Sequence, residues 1–94
     1  MDLGLRDRVA LVAASSRGLG QAVAEALAAV GVRLALCARH PDTLARTAQS
    51  LRDRFGVEVL HRALDVTDEA SVKSFVAETL AHFGRVDIGV ANAG

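Results

Sequence analysis

The stretch Ala13-Ala14-Ser15-Ser16-Arg17-Gly18-Leu19-Gly20 joins an apolar run to a segment of helical period, and its reading decides the fold. Residues 9–14 before it are nearly continuous in apolar character, as a strand buried on both faces of a parallel sheet should be. After it, Leu19, Val23, Leu27 and Val30 recur at intervals of three and four, and Gly31 follows as a left-handed stop. A strand that passes through a small, glycine-bearing turn into a helix gathers unpaired N–H groups and the positive end of the helix dipole at one point. Such a point attracts a pyrophosphate, and Gly18 and Gly20 let backbone and ligand approach closely. Two glycines spaced by one also serve, in many α/β proteins, only to pack a helix on its strand. Context has to decide between the two uses.

Working outward, the same alternation repeats. Residues 32–37 form a second apolar strand with Arg33 near its start. Pro41 and Asp42 suit the first turn of a second helix, whose stripe is Leu44, Ala48, Leu51 and Phe55, with Gly56 as its end. Residues 57–64 read as a third strand of mixed polarity, suited to a sheet edge. Thr67 is the expected N-cap of a third helix with the inner stripe Val72, Phe75, Val76, Leu80 and Phe83, closed by Gly84. Residues 86–91 give a fourth strand, weakened at Gly89. Strands and helices in strict βαβαβαβ alternation predict an α/β fold: a Rossmann-type doubly wound parallel sheet in strand order 3-2-1-4.

The chain has 94 residues, room for one domain and not two. Half of it is hydrophobic, which excludes a disordered chain. Eleven basic residues balance eleven acidic ones, so the net field gives no reason to expect a nucleic acid or an anionic membrane as partner. No apolar run reaches the length of a membrane span, and Cys37 is the only cysteine, which together favour a cytoplasmic protein. His40, His61 and His82 have no acidic or thiol neighbours at ligand spacing, so no metal site is expected.

About 20 residues beyond the glycine turn, where a dinucleotide fold reads the ribose, the sequence is Ala38-Arg39. An acid there would bond a free 2′-hydroxyl and repel a 2′-phosphate. A small residue followed by arginine leaves room and supplies a planar charged donor, which favours NADP (NADPH) over NAD. Arg17 is placed to close on the same phosphate from the other side. Either arginine is otherwise an ordinary solvated charge.

The turn at residues 15–20, the segment Leu64-Asp65-Val66-Thr67-Asp68 and the closing Asn92-Ala93-Gly94 together resemble the short-chain dehydrogenase/reductase family, over nearly the whole chain. The resemblance implies that Ser16, Arg17, Gly18, Leu19 and Gly20 wrap the cofactor pyrophosphate, Leu19 through its backbone N–H. It implies that Asp65 and Val66 hold the adenine ring, and that Asn92, Ala93 and Gly94 line the nicotinamide ribose. The alternative for Asp65 is that it only turns the chain after strand three. Ala13 and Ala14 stand where the family has threonine and glycine, so a slightly altered loop is expected. Ala91 stands where a further asparagine is common, and with Gly89 it weakens strand four.

Family members move a hydride between a nicotinamide dinucleotide and a small carbonyl or alcohol substrate, using a tyrosine, a lysine and a serine. This chain has no tyrosine, and its lysine, Lys73, falls on the third helix. No catalytic residue is therefore expected within it. The chain is expected to be the cofactor-binding front half of a longer, homo-oligomeric oxidoreductase, inactive and marginally folded by itself, with a 3-oxoacyl thioester as one candidate substrate. Two other classes stay open: a non-catalytic dinucleotide-binding or interaction module, and an adenosylmethionine-dependent methyltransferase. The second calls for an acid after strand two, which Ala38-Arg39 does not supply.

Overall fold

The computed structural model describes residues 4–13 and 18–91. Within them run β1 (Val9–Ala13), α1 (Leu19–Ala29), β2 (Arg33–Ala38), α2 (Pro41–Phe55), β3 (Val59–Ala63), α3 (Glu69–Phe83) and β4 (Ile88–Ala91). The strands form one parallel sheet in the order β3-β2-β1-β4, as the alternation predicts.

Period-two alternation along the central strands sorts the core into two faces. Ala10 and Val12 of β1 and Leu34, Leu36 and Ala38 of β2 pack with Ala24 and Ala28 of α1 and Leu44, Ala48 and Leu51 of α2. Leu11, Ala35 and Cys37 point the other way, under Phe75 of α3. Helices thus cover both faces, which is why β1 and β2 carry apolar residues at successive positions. Ile88 and Val90 of β4 are half-buried against the first face, while Gly89 and Ala91 are exposed.

The strands end where other bonds compete for the backbone. α1 closes in a Schellman turn: Gly31 N–H donates to Ala28 C=O and Val32 N–H to Leu27 C=O, with Gly31 at φ 87°. Val32 is spent on that turn, so β2 begins at Arg33 rather than at Val32, and it extends one residue further, to Ala38. β3 is shorter than the expected 57–64, because Gly56, Val57 and Glu58 carry the chain from α2 back to the sheet. The N-cap of α3 is Asp68, not Thr67: the Asp68 carboxylate accepts the Ala70 N–H at 3.1 Å and the Ser71 hydroxyl at 2.8 Å.

β4 starts at Ile88, not Val86, because Asp87 acts as a clamp instead of a ladder residue. Its Oδ2 accepts the Val9 N–H at 2.9 Å and its own N–H donates to Val9 C=O at 2.9 Å. Oδ1 accepts from Arg85 at 2.8 Å and from Arg8 at 3.4 Å. The Arg85 bond first, then the Val9 N–H, hold the Asp87 carboxyl down to about 2. The stabilisation from a depressed carboxylate is complete above the unfolded value of about 4 and is lost as pH falls through about 2. Asp87→Asn should therefore lower the urea midpoint at pH 7 and flatten its decline in that acid window. A variant that keeps the wild-type acid slope contradicts this role for Asp87.

Candidate functional site

Parallel strands deliver their C-terminal ends to one side, so the residues that follow β2 and β3 and the start of α1 at Gly18 lie along a single rim. The register puts Ala13 beside Cys37 and Ala91, and Ala38 beside Ala63. Gly18, Arg39 and Asp65 each follow one of these strand ends. The chain runs from β1 to β2 and β3 on one side and returns with β4 on the other, so the sheet changes direction beside β1. That switch point is where open α/β sheets receive ligands.

Gly18 is the N-cap of α1, at φ 68° and ψ −138°, a conformation largely restricted to glycine. Its carbonyl accepts the Ala22 N–H at 3.2 Å, and among the described residues no side chain caps the helix. The first turn of α1 also holds no acid. Both other helices have one there, Asp42 in α2 and Glu69 in α3, and α3 has the Asp68 cap besides. Among the described residues, α1 is thus the one helix of the three whose start has neither a capping side chain nor an acid, which suits an outside anion.

At the next strand end, Ala38 is buried and Arg39 is exposed. Arg39 Nη2 lies 3.4 Å from Asp65 Oδ1, and the other guanidinium donors have no partner among the described residues. Asp65 Oδ1 also accepts the Thr67 N–H at 2.9 Å and the Thr67 hydroxyl at 2.7 Å. Those Thr67 bonds, with a smaller contribution from Arg39, pull the Asp65 carboxyl below the usual carboxylate range. Asp65 therefore does turn the chain, and it also stands exposed at the rim as a fixed anion. Val66 is half-buried and packs with Leu64 against the core under α3.

Of the residues singled out in the sequence, Gly18, Gly20, Arg39, Asp65 and Val66 are described, as is the backbone of Leu19. Ser16, Arg17, Asn92, Ala93 and Gly94 lie outside the described residues. The sequence reading missed Thr67 as the residue that fixes Asp65. Its signal was the Asp-x-Thr spacing, which favours a side-chain-to-backbone turn two residues on. It also missed the acidic partner of His82, whose Nε2 lies 2.6 Å from Glu58 Oε2, at the opposite end of the sheet from the rim. Lys73 is exposed on α3 and pairs with Glu69 at 3.2 Å. Among the described residues no three His, Cys, Asp or Glu side chains converge to hold a metal ion, and no helix is long and apolar enough to cross a membrane.

Comparison with known proteins follows the same lines. The chain is 40% identical over 92 residues to the 3-oxoacyl-acyl-carrier-protein reductase of Escherichia coli, covering 98% of this chain and 36% of that protein. The L-sorbose reductase of Gluconobacter frateurii, solved with NADPH and L-sorbose, superposes with a TM-score of 0.95 at 42% identity, over 100% of this chain and 36% of that one. A short chain dehydrogenase/reductase of Burkholderia phymatum, solved with NAD, gives 0.86 at 33% identity, over 90% of this chain and 30% of that one. The chain spans about a third of the length of the relatives it matches. The family model for short chain dehydrogenases matches residues 8–94, and the chain accordingly belongs to the short-chain dehydrogenase/reductase family of oxidoreductases.

Proposed function

We propose that residues 1–94 form the cofactor-binding unit of an NADP(H)-dependent oxidoreductase that moves a hydride between the nicotinamide and a carbonyl or alcohol carbon. The observation that carries this reading is the rim itself, with a helix N-terminus at Gly18 that no side chain caps among the described residues, and the exposed Arg39 and Asp65 after the neighbouring strands. An anion-binding helix end, a guanidinium and a fixed carboxylate are three of the groups a phosphorylated dinucleotide needs. Ser16, Arg17, Gly18, Leu19 and Gly20 would hold the pyrophosphate, and Arg39 with Arg17 the 2′-phosphate. Asp65 and Val66 would take the adenine, and Asn92, Ala93 and Gly94 the nicotinamide ribose. The bound dinucleotide supplies the hydride. This chain's own residues bind and orient the cofactor, and the proton chemistry belongs to other parts of the protein.

The likeness to a 3-oxoacyl-acyl-carrier-protein reductase supports a 3-oxoacyl thioester as substrate; a cytoplasmic homo-oligomer is the working form we infer from the lone Cys37 and the ordinary globular composition. A titration of the full-length protein with NADPH, NADH and S-adenosylmethionine tests the class. Tightest binding of NADPH and none of S-adenosylmethionine is expected. Preferential binding of S-adenosylmethionine would move the protein to the methyltransferases, and dinucleotide binding without turnover of any carbonyl or alcohol would favour a binding module.

A further inference from the structure

An edge strand offers a row of unpaired backbone groups to any other strand that approaches it. β3 is such an edge, since among the described residues it pairs with β2 alone. The ladder fixes which of its groups are left over. Leu34 N–H donates to Glu58 C=O and Leu64 N–H donates to Ala38 C=O. Residues 58, 60, 62 and 64 therefore turn their backbone toward β2, and Val59, His61 and Ala63 turn theirs away.

Two of these three outward carbonyls are already taken, each by an arginine. Val59 C=O accepts Arg52 Nη2 at 2.5 Å, from the last turn of α2. His61 C=O accepts Arg62 Nη1 at 3.1 Å, and the other arm of the same guanidinium bonds Glu78 of α3. One arginine is thus anchored on the helix of one face and the other on the helix of the opposite face. His61 lies between them, and its pKa is lowered by burial first and by the Arg52 and Arg62 charges next.

We propose that Arg52 and Arg62 close the β3 edge against strand addition by a second copy of this chain. An incoming strand has to donate N–H groups to Val59 and His61, and both acceptors are engaged by charge-assisted hydrogen bonds. It also has to bring its own backbone past two positive charges, a common way of blunting an edge.

The test uses the full-length protein with Arg52→Met and Arg62→Met combined, which keeps the apolar stems and removes both caps. Sedimentation velocity over a concentration series, with thioflavin T binding alongside, reads the association. The double variant is expected to self-associate about tenfold more tightly than wild type, the ratio set by a difference the size of one hydrogen bond. Adding Ala63→Pro should return it to the wild-type distribution, because that proline removes an outward N–H without breaking a bond to β2. Glu78→Gln, which leaves the arginine on His61, should behave as wild type. If the double variant loses its cooperative melt, Arg52→Met alone is read, with an expected shift of about threefold. A wild-type distribution in the folded variant overturns the proposal, as does association that Ala63→Pro leaves intact.

Discussion

Replacing Arg39 with alanine should reduce the preference of the full-length protein for NADPH over NADH by about ten- to a hundredfold, the loss expected when a phosphate forfeits a charged hydrogen-bond partner. Arg39 follows the last residue of β2, where a dinucleotide fold meets the adenosine ribose, and it is exposed with most of its donors free among the described residues. Its contact with Asp65 is long, at 3.4 Å, and both side chains are solvated, so parting them costs little. The change should fall on NADPH affinity and leave NADH nearly untouched, because NADH has no group for Arg39 to hold. Arg39→Lys should recover part of the preference, as a point charge without the planar fork. Cofactor titrations of the three proteins check this, and an unchanged ratio in Arg39→Ala removes Arg39 from phosphate recognition.

Gly18→Val should instead weaken both cofactors together, by about tenfold or more, the equivalent of the 1–3 kcal/mol that such a backbone conformation costs any other residue. A Cβ at Gly18 meets nothing within 4 Å, so crowding within the described chain is no part of the effect. The penalty lies in φ 68° and ψ −138° alone, and the chain can relieve it only by moving the turn that aims the first N–H groups of α1. Gly18→Ala should therefore do nearly as much harm as Gly18→Val. Fluorescence titration with both cofactors, and a thermal melt to follow the fold, measure the two parts. Wild-type affinity in Gly18→Ala would show that the turn tolerates other geometries and does not depend on its glycine.

These two residues were legible in the sequence for a physical reason. Gly18 and Arg39 stand where local pattern and strand ends fix position, and the period-two and period-3.6 patterns located those ends to within a residue or two. Alternation and crossover handedness narrowed the strand order to a few arrangements, and the Rossmann-type order 3-2-1-4 chosen among them is the one observed. What was not legible depends on contacts between distant segments. Val86 and Asp87 read as strand by composition, yet Asp87 spends its side chain and its N–H on Val9, 78 positions away. Thr67 looked the better N-cap, but its hydroxyl and N–H go back to Asp65, which leaves the cap to Asp68. The pairing of His82 with Glu58 and the capping of Val59 by Arg52 likewise arise only once β3 lies between α2 and α3. Local periodicity carries no information about such pairs.

The rim formed by Gly18 and the turns after β2 and β3 is expected to receive the phosphorylated dinucleotide. Hydrogen exchange of the full-length protein, followed by mass spectrometry with and without saturating NADPH, tests it most directly. Slowed exchange is expected in peptides spanning Gly18 to Gln21, Arg39 and Asp65 to Thr67, with little change at Gly31, Arg33 and Glu58 at the opposite end of the sheet. Protection confined to that opposite end, with the Gly18 and Arg39 peptides unchanged, would contradict it.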